Sequence, residues 1–112
     1  MSTNTVKVNV TVKDVINART ASVKLQTAPE TFSVRAIAIM NDKDKSTGEE
    51  RPVGYLFAED GTVYGTVSAT AIDTINAVAE SVNAGDLELP LIFKVSLRTS
   101  AAGRQFIALS IE

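Results

Sequence analysis

The sequence predicts a mainly β domain, a small barrel of short strands with one α-helix, and three observations carry that prediction. Apolar and polar residues alternate with a period of two along most of the chain. The period turns helical only once, from Ser68 or Thr70 to Asn83. A tight-turn signal, Asp60-Gly61, joins two apolar runs near the middle. At 112 residues, 45% of them hydrophobic and 21% charged, the chain suits one domain, residues 1–112, with a single core.

Taken in order, Val6, Val8, Val10 and Val12 alternate with Lys7, Asn9, Thr11 and Lys13, the pattern of a half-buried strand with its valines inward. Residues 17–21 read as a turn. Residues 22–26 resume the alternation, with Val23 and Leu25 on one face, until Thr27-Ala28-Pro29-Glu30 interrupts it. The run 31–40 predicts a long central strand. Phe32, Val34, Ala36, Ala38 and Met40 share one face, Arg35, Ile37 and Ile39 the other, so both faces are partly apolar. Residues 41–52, N-D-K-D-K-S-T-G-E-E-R-P, predict a solvated, mobile loop. Its Asp42-x-Asp44-x-Ser46 opening fails as a calcium loop, because Thr47 holds the sharp-turn glycine position and Val53 the bidentate glutamate position.

Residues 53–67, V-G-Y-L-F-A-E-D-G-T-V-Y-G-T-V, predict a hairpin closed by a two-residue type I′ turn at Asp60-Gly61. That turn sets Glu59 opposite Thr62, Ala58 opposite Val63, Phe57 opposite Tyr64 and Tyr55 opposite Thr66. Tyr55, Phe57 and Tyr64 then share one face, and Leu56, Ala58, Val63, Gly65 and Val67 the other. In the helical stretch, Ile72, Ile75, Val78, Ala79 and Val82 form an apolar stripe, Thr70-x-x-Asp73 resembles a capping box, and Gly85 suits the left-handed residue past the end. Pro90 opens a last hairpin. Leu91, Phe93, Val95 and Leu97 alternate with Ile92, Lys94, Ser96 and Arg98; after a loop at 99–103, Ile107, Leu109 and Ile111 alternate with Arg104, Phe106 and Ala108.

A five-stranded OB-type barrel carries its helix between the third and fourth strands. This helix falls there if residues 6–26 form the first strand, broken by a bulge, or a strand with an extra hairpin. A β-sandwich with one helix is the alternative.

The chain has no cysteine and no histidine, which removes thiolate nucleophiles, disulfides, imidazole bases and the usual zinc sites. No carboxylate pair or serine–lysine spacing supports catalysis. Glu49-Glu50 and Glu59-Asp60 fall in a loop and a turn, so no enzyme, cofactor, metal or small-molecule substrate is expected. The opening M-S-T-N-T-V-K-V shows no apolar signal segment, and the longest apolar run, residues 36–40, is too short for a bilayer. A cytoplasmic protein with no membrane partner is expected, and the sequon at Asn9-Val10-Thr11 reads as chance.

The net charge of −2 gives no general attraction for polyanions, but the cations are unevenly placed. Lys7, Lys13, Lys24, Arg35, Lys94, Arg98 and Arg104 lie in or beside strands, opposite the core side, whereas the acids lie in loops, in the helix or at strand ends. Cations beside Tyr55, Phe57 and Tyr64 supply the parts of a single-strand groove: charges follow phosphates while bases stack on rings. Phe106 with Arg104, beside a glycine-containing loop, could close over such a strand. Lysine and arginine also guard exposed strands against edge pairing, and cross-strand aromatics also pack as core. Phe32 and Phe93, in phase with aliphatic neighbours, read as core.

Tyr64-Gly65-Thr66-Val67-Ser68 before the helix, Leu89-Pro90-Leu91 opening a hairpin and Gly103-Arg104-Gln105-Phe106 before the last apolar strand form a rhythm of elements. Over about residues 53–111 it resembles small single-stranded DNA-binding proteins of phages and mobile elements, especially of Gram-positive hosts. The resemblance implies an OB-like fold, sequence-tolerant binding of single-stranded DNA during replication, and no catalysis. The implied contacts are the aromatics of the central hairpin and the basic residues of the strands; RNA in place of DNA stays open. Many such proteins recruit partners through a long acidic tail, which nothing at Ser110-Ile111-Glu112 resembles. The competing class is a structural, virion-type subunit. Two-sided apolar strands would suit one that buries a second sheet face in a homo-oligomer.

Overall fold

A computed structural model of the chain describes residues 6–43 and 47–112. It is mainly β: seven strands form one curled, half-barrel sheet, with two helices, in place of the five strands and one helix expected. The strands are β1 (Val6–Val8), β2 (Val23–Lys24), β3 (Thr31–Lys43), β4 (Glu50–Ala58), β5 (Val63–Thr66), β6 (Leu91–Thr99) and β7 (Gln105–Ile111). The helices are α1 (Val12–Ala21) and α2 (Ala69–Asn83). The sheet order is β2-β5-β4-β3-β6-β7, and β1 joins β3 beyond the reach of β6.

The largest departure lies at the start. The expected valine strand stops at Asn9, whose φ of +58° bends the chain, a conformation asparagine tolerates. Val8 therefore enters one core and Val10 packs against another. Residues 12–21 form a helix where a strand end and a turn were expected, because Thr11 and Asp14 make a reciprocal capping box. Each side chain accepts from the other's backbone N–H at 3.1 Å. Only Asp14 and Ala18 of this helix are buried, so its apolar periodicity is faint in the sequence. The 22–26 strand shrinks to β2, and Leu25 begins a single 3-10 turn with a fully buried side chain.

β3 is the central strand, and its faces differ from simple alternation. Val34 pairs with Ala58 and Ala36 with Phe57, so Arg35 is the extra residue of a bulge. Beyond the bulge the faces exchange: Val34 shares its core with Ile37 and Ile39, while Ala36, Ala38 and Met40 join the other. The expected 41–52 loop is also shorter. Residues 41–43 pair with 50–52 as a continuation of the β3–β4 ladder. Asp44 and Ser46 of the calcium-like opening lie outside the described residues, among which no cluster of acids could hold a metal.

The central hairpin turns on three residues instead of two. Ala58 N–H donates to Thr62 O at 2.9 Å and Gly61 N–H to Ala58 O at 3.1 Å. Gly61, at φ +95°, takes the left-handed position that closes a three-residue loop. Asp60 Oδ1 accepts from Thr62 N–H at 2.8 Å, which holds its carboxyl below the usual range. The extra loop residue slips the register by one: Phe57 faces Val63, Leu56 faces Tyr64 and Tyr55 faces Gly65. A one-residue slip reverses a strand's faces. Tyr64 therefore points away from Tyr55 and Phe57, and the three-ring face does not form.

The sheet buries both faces. Under α2, Ile75, Val78 and Ala79 meet Leu56, Tyr64, Phe93, Ile107 and Leu109. α2 starts at Ser68, the first of the two expected starts, whose Oγ accepts from Ala71 N–H; the capping-box resemblance at Thr70 is not used. It ends as expected at Gly85 (φ +85°), where Asp86 N–H donates to Ser81 O and Gly85 N–H to Val82 O. On the opposite face, Ala18 of α1 packs on Ala36, Ala38, Tyr55 and Phe57, the alanines letting helix and sheet approach closely. Arg35 latches that helix down: two nitrogens donate to Asp14 at 2.8 and 3.2 Å, and the guanidinium lies 5.8 Å from the Phe57 ring centroid.

Candidate nucleic-acid interface

The curled sheet does not close. Its β2–β5 end and its β6–β7 end line opposite parts of one groove of about 790 Å³. Tyr55 and Gly65 meet within it. A Cβ on Gly65 would lie 3.3 Å from the Tyr55 ring and 3.6 Å from Ser22 Oγ, so glycine makes room for that ring, which borders the groove but is itself buried, 4% exposed. Val23 and Lys24 line one side, Leu97 and Phe106 the other, with Val67 where β5 runs out toward α2.

The Tyr55 hydroxyl is held away from solvent. It donates to the Asp42 carboxylate, whose other oxygen accepts from Arg19 Nε at 3.1 Å. Burial pushes the phenol up above its ordinary value near 10, and the hydrogen bond to Asp42 adds to the shift. The ring thus stays neutral and its hydroxyl satisfied at any physiological pH. Among the described residues no aspartate or glutamate lines the groove, although the chain carries 13 acids. Lys24 lies in the lining. Arg98 sits directly across the ladder from Phe106, and Arg104, also exposed, is two residues before it. Neighbours opposite one another on a ladder share a face.

The predicted contact residues separate into two groups. Tyr55, Phe106 and Lys24 meet in the groove, with Arg98 and Arg104 beside Phe106. Phe57 is fully buried, and Tyr64, 7% exposed, packs on Phe32 with ring centroids 4.9 Å apart. Neither ring presents a face to the groove. Arg35 is engaged with Asp14, Lys94 lies 3.8 Å from Glu30, and Lys7 stands on β1 opposite Ala38, away from the groove lining.

The reading of the sequence passed over Val23, Val67 and Leu97. Each continues the in-phase apolar positions of its strand, which is the signature of core. They are 44%, 51% and 56% exposed, so neighbouring elements leave them largely uncovered. Periodicity reports a face, not where its cover stops.

A family model described as phage single-stranded DNA-binding protein matches residues 1–112, the whole chain. No curated protein and no solved structure matches it. A groove with a lysine and no acid among its described lining residues, in a chain matched from end to end, agrees with what that family binds: this chain belongs to the phage single-stranded DNA-binding protein family.

Proposed function

We propose that the protein takes up unpaired DNA along the groove between the β2–β5 and β6–β7 ends of its sheet. Bases would meet Phe106, beside the largely buried ring of Tyr55, and phosphates would meet Lys24, Arg98 and Arg104. The observation that carries this is the lining itself, the ring of Phe106 beside the buried Tyr55 and a lysine, with no carboxylate among the described residues, in a chain of net charge −2. A polyanion is repelled by an acidic lining and steered by local cations even where the net charge is negative. Every base has a π-face, so contact through rings is tolerant of sequence. Binding and release suffice for protecting DNA during phage replication in the host cytoplasm, and no bond need be made or broken.

The connectivity supports an OB-like reading. β3 to β7 follow the five-strand order with α2 between the third and fourth of them, and β1, α1 and β2 precede that unit as an addition. In such barrels oligonucleotides lie across the second and third strands and the loop between the last two. Here those are β4, β5 and the β6–β7 turn; β4 and β5 bring Tyr55 and Gly65 to the groove, and Phe106 enters it from the start of β7, next to the turn. Family membership favours this reading over a structural subunit of a virion.

Titration of oligothymidine and of a duplex of equal length tests the proposal. The single strand should bind far more tightly, with quenching of the tyrosine emission. Affinity should fall with salt at a log–log slope of about −2, at roughly −0.7 for each of three phosphate contacts. Equal affinity for the duplex, or indifference to replacing Lys24, Arg98 and Arg104 together, would remove the groove from the function.

A further inference from the structure

Six large apolar side chains stand exposed among the described residues: Val12, Ile16, Val23, Val67, Ile92 and Leu97. Three of them, Val23, Val67 and Leu97, line the one groove that also holds Tyr55 and Phe106. Val23 and Val67 come from the β2–β5 end of the sheet and Leu97 from the β6–β7 end, so aliphatic side chains flank the groove from both ends of the strand order. Their described neighbours in the lining are uncharged, apart from Lys24, and include the apolar Val53, Phe106 and Ile107.

We propose that Val23, Val67 and Leu97 form an aliphatic grip for unstacked bases, so that the protein opens the base stack instead of only following the backbone. This rests on the groove reading and extends it from phosphates and rings to the mode of base contact. Apolar surface left in water is unfavourable by about 25 cal/mol per Å². A base rotated out of its stack exposes two large, weakly hydrated faces. Bringing the two together removes both from water without a directional bond, which suits a contact that must accept every base. The two tyrosines and four phenylalanines of the chain do not supply enough rings for this alone, since Tyr55, Tyr64, Phe57 and Phe93 are all buried. Aliphatic side chains at the groove supply the remaining apolar surface.

The test pairs affinity with a stacking readout. Leu97→Ser and Val67→Ser change exposed side chains, and circular dichroism should show an unaltered fold. Each variant should bind oligothymidine about five- to twentyfold more weakly. A 2-aminopurine placed between adenines in an oligonucleotide should brighten as wild-type protein saturates it, reporting unstacking, and should brighten less with either variant. Ile16→Ser, exposed on α1 outside the groove, should bind as wild type. Wild-type affinity and wild-type brightening in both groove variants would overturn the grip, as would an equal loss in Ile16→Ser. If the aliphatic variants are silent while the replacement of Lys24, Arg98 and Arg104 weakens binding, the groove stands and the grip alone falls. If both sets are silent, the groove falls with it.

Discussion

Tyr55 donates its hydroxyl hydrogen to Asp42, two side chains from adjacent strands that meet on the α1 side of the sheet. Asp42 also accepts from Arg19, so one carboxylate ties together the groove tyrosine, the β3–β4 hairpin and the last turn of α1. A hydrogen bond to a charged acceptor contributes about 1.5–3 kcal/mol, and an exposed ion pair adds little. Asp42→Asn should lower the stability by about 1–2 kcal/mol in urea unfolding. It should also let Tyr55 ionise at lower pH, followed by phenolate absorbance, though still above the ordinary value because burial is the larger cause of the shift.

Asp14 and Arg35 set a different pH dependence. The Arg35 guanidinium holds the Asp14 carboxyl down, from its ordinary 3.8 to about 2. A carboxylate with a lowered folded-state value stabilises the fold at pH above the unfolded value, and that stabilisation is lost as pH falls toward 2. Since the Arg35 side chain is 41% exposed, solvent screens the pair and the contribution is about 1 kcal/mol. Asp14→Asn should therefore reduce stability at neutral pH and flatten the acid limb between pH 4 and 2, read by thermal unfolding across that range.

Tyr64 and Tyr55 should behave as different residues despite their shared type. Tyr64→Ala removes a ring packed between Phe32 and the α2 core and should cost about 3–5 kcal/mol. Tyr64→Phe should leave oligothymidine affinity unchanged. Any marked loss of affinity in Tyr64→Phe, with the stability intact, would show that the core assignment of that ring is wrong.

Gly65 should tolerate no large side chain. The position a Cβ would take lies 3.3 Å from the Tyr55 ring, tighter than ordinary contact. Gly65→Val should both strain the β4–β5 pair, by about 1–3 kcal/mol, and fill the groove beside Tyr55, weakening single-strand binding. Denaturant unfolding and an oligothymidine titration on the same sample read the two effects.

Arg98 and Arg104 should act through charge. Replacing either by Gln should reduce the magnitude of the salt slope by about 0.7. The fold should be unaffected, since both side chains are exposed. A slope unchanged in both variants would place the phosphates elsewhere.

Local chemistry by itself determined much of this protein. The stripe from Ile72 to Val82 and Gly85 specified α2, strict alternation specified β6 and β7 with Phe93, Ile107 and Leu109 inward, and the lack of histidine and cysteine removed whole classes of chemistry. Even α1 was written locally, in the Thr11-x-x-Asp14 box, though four valines at alternate positions outweighed it.

Only the tertiary structure decided which rings border the groove. One residue more in the turn at Gly61 and one bulge at Arg35 each reverse the faces of everything beyond them, and period-2 reasoning cannot register either. The curl of the sheet then joins β5 and β7, far apart in sequence, into one groove, with Val67 and Leu97 exposed on its lining. A side chain's face is local information. Whether anything lies over that face depends on where distant elements end.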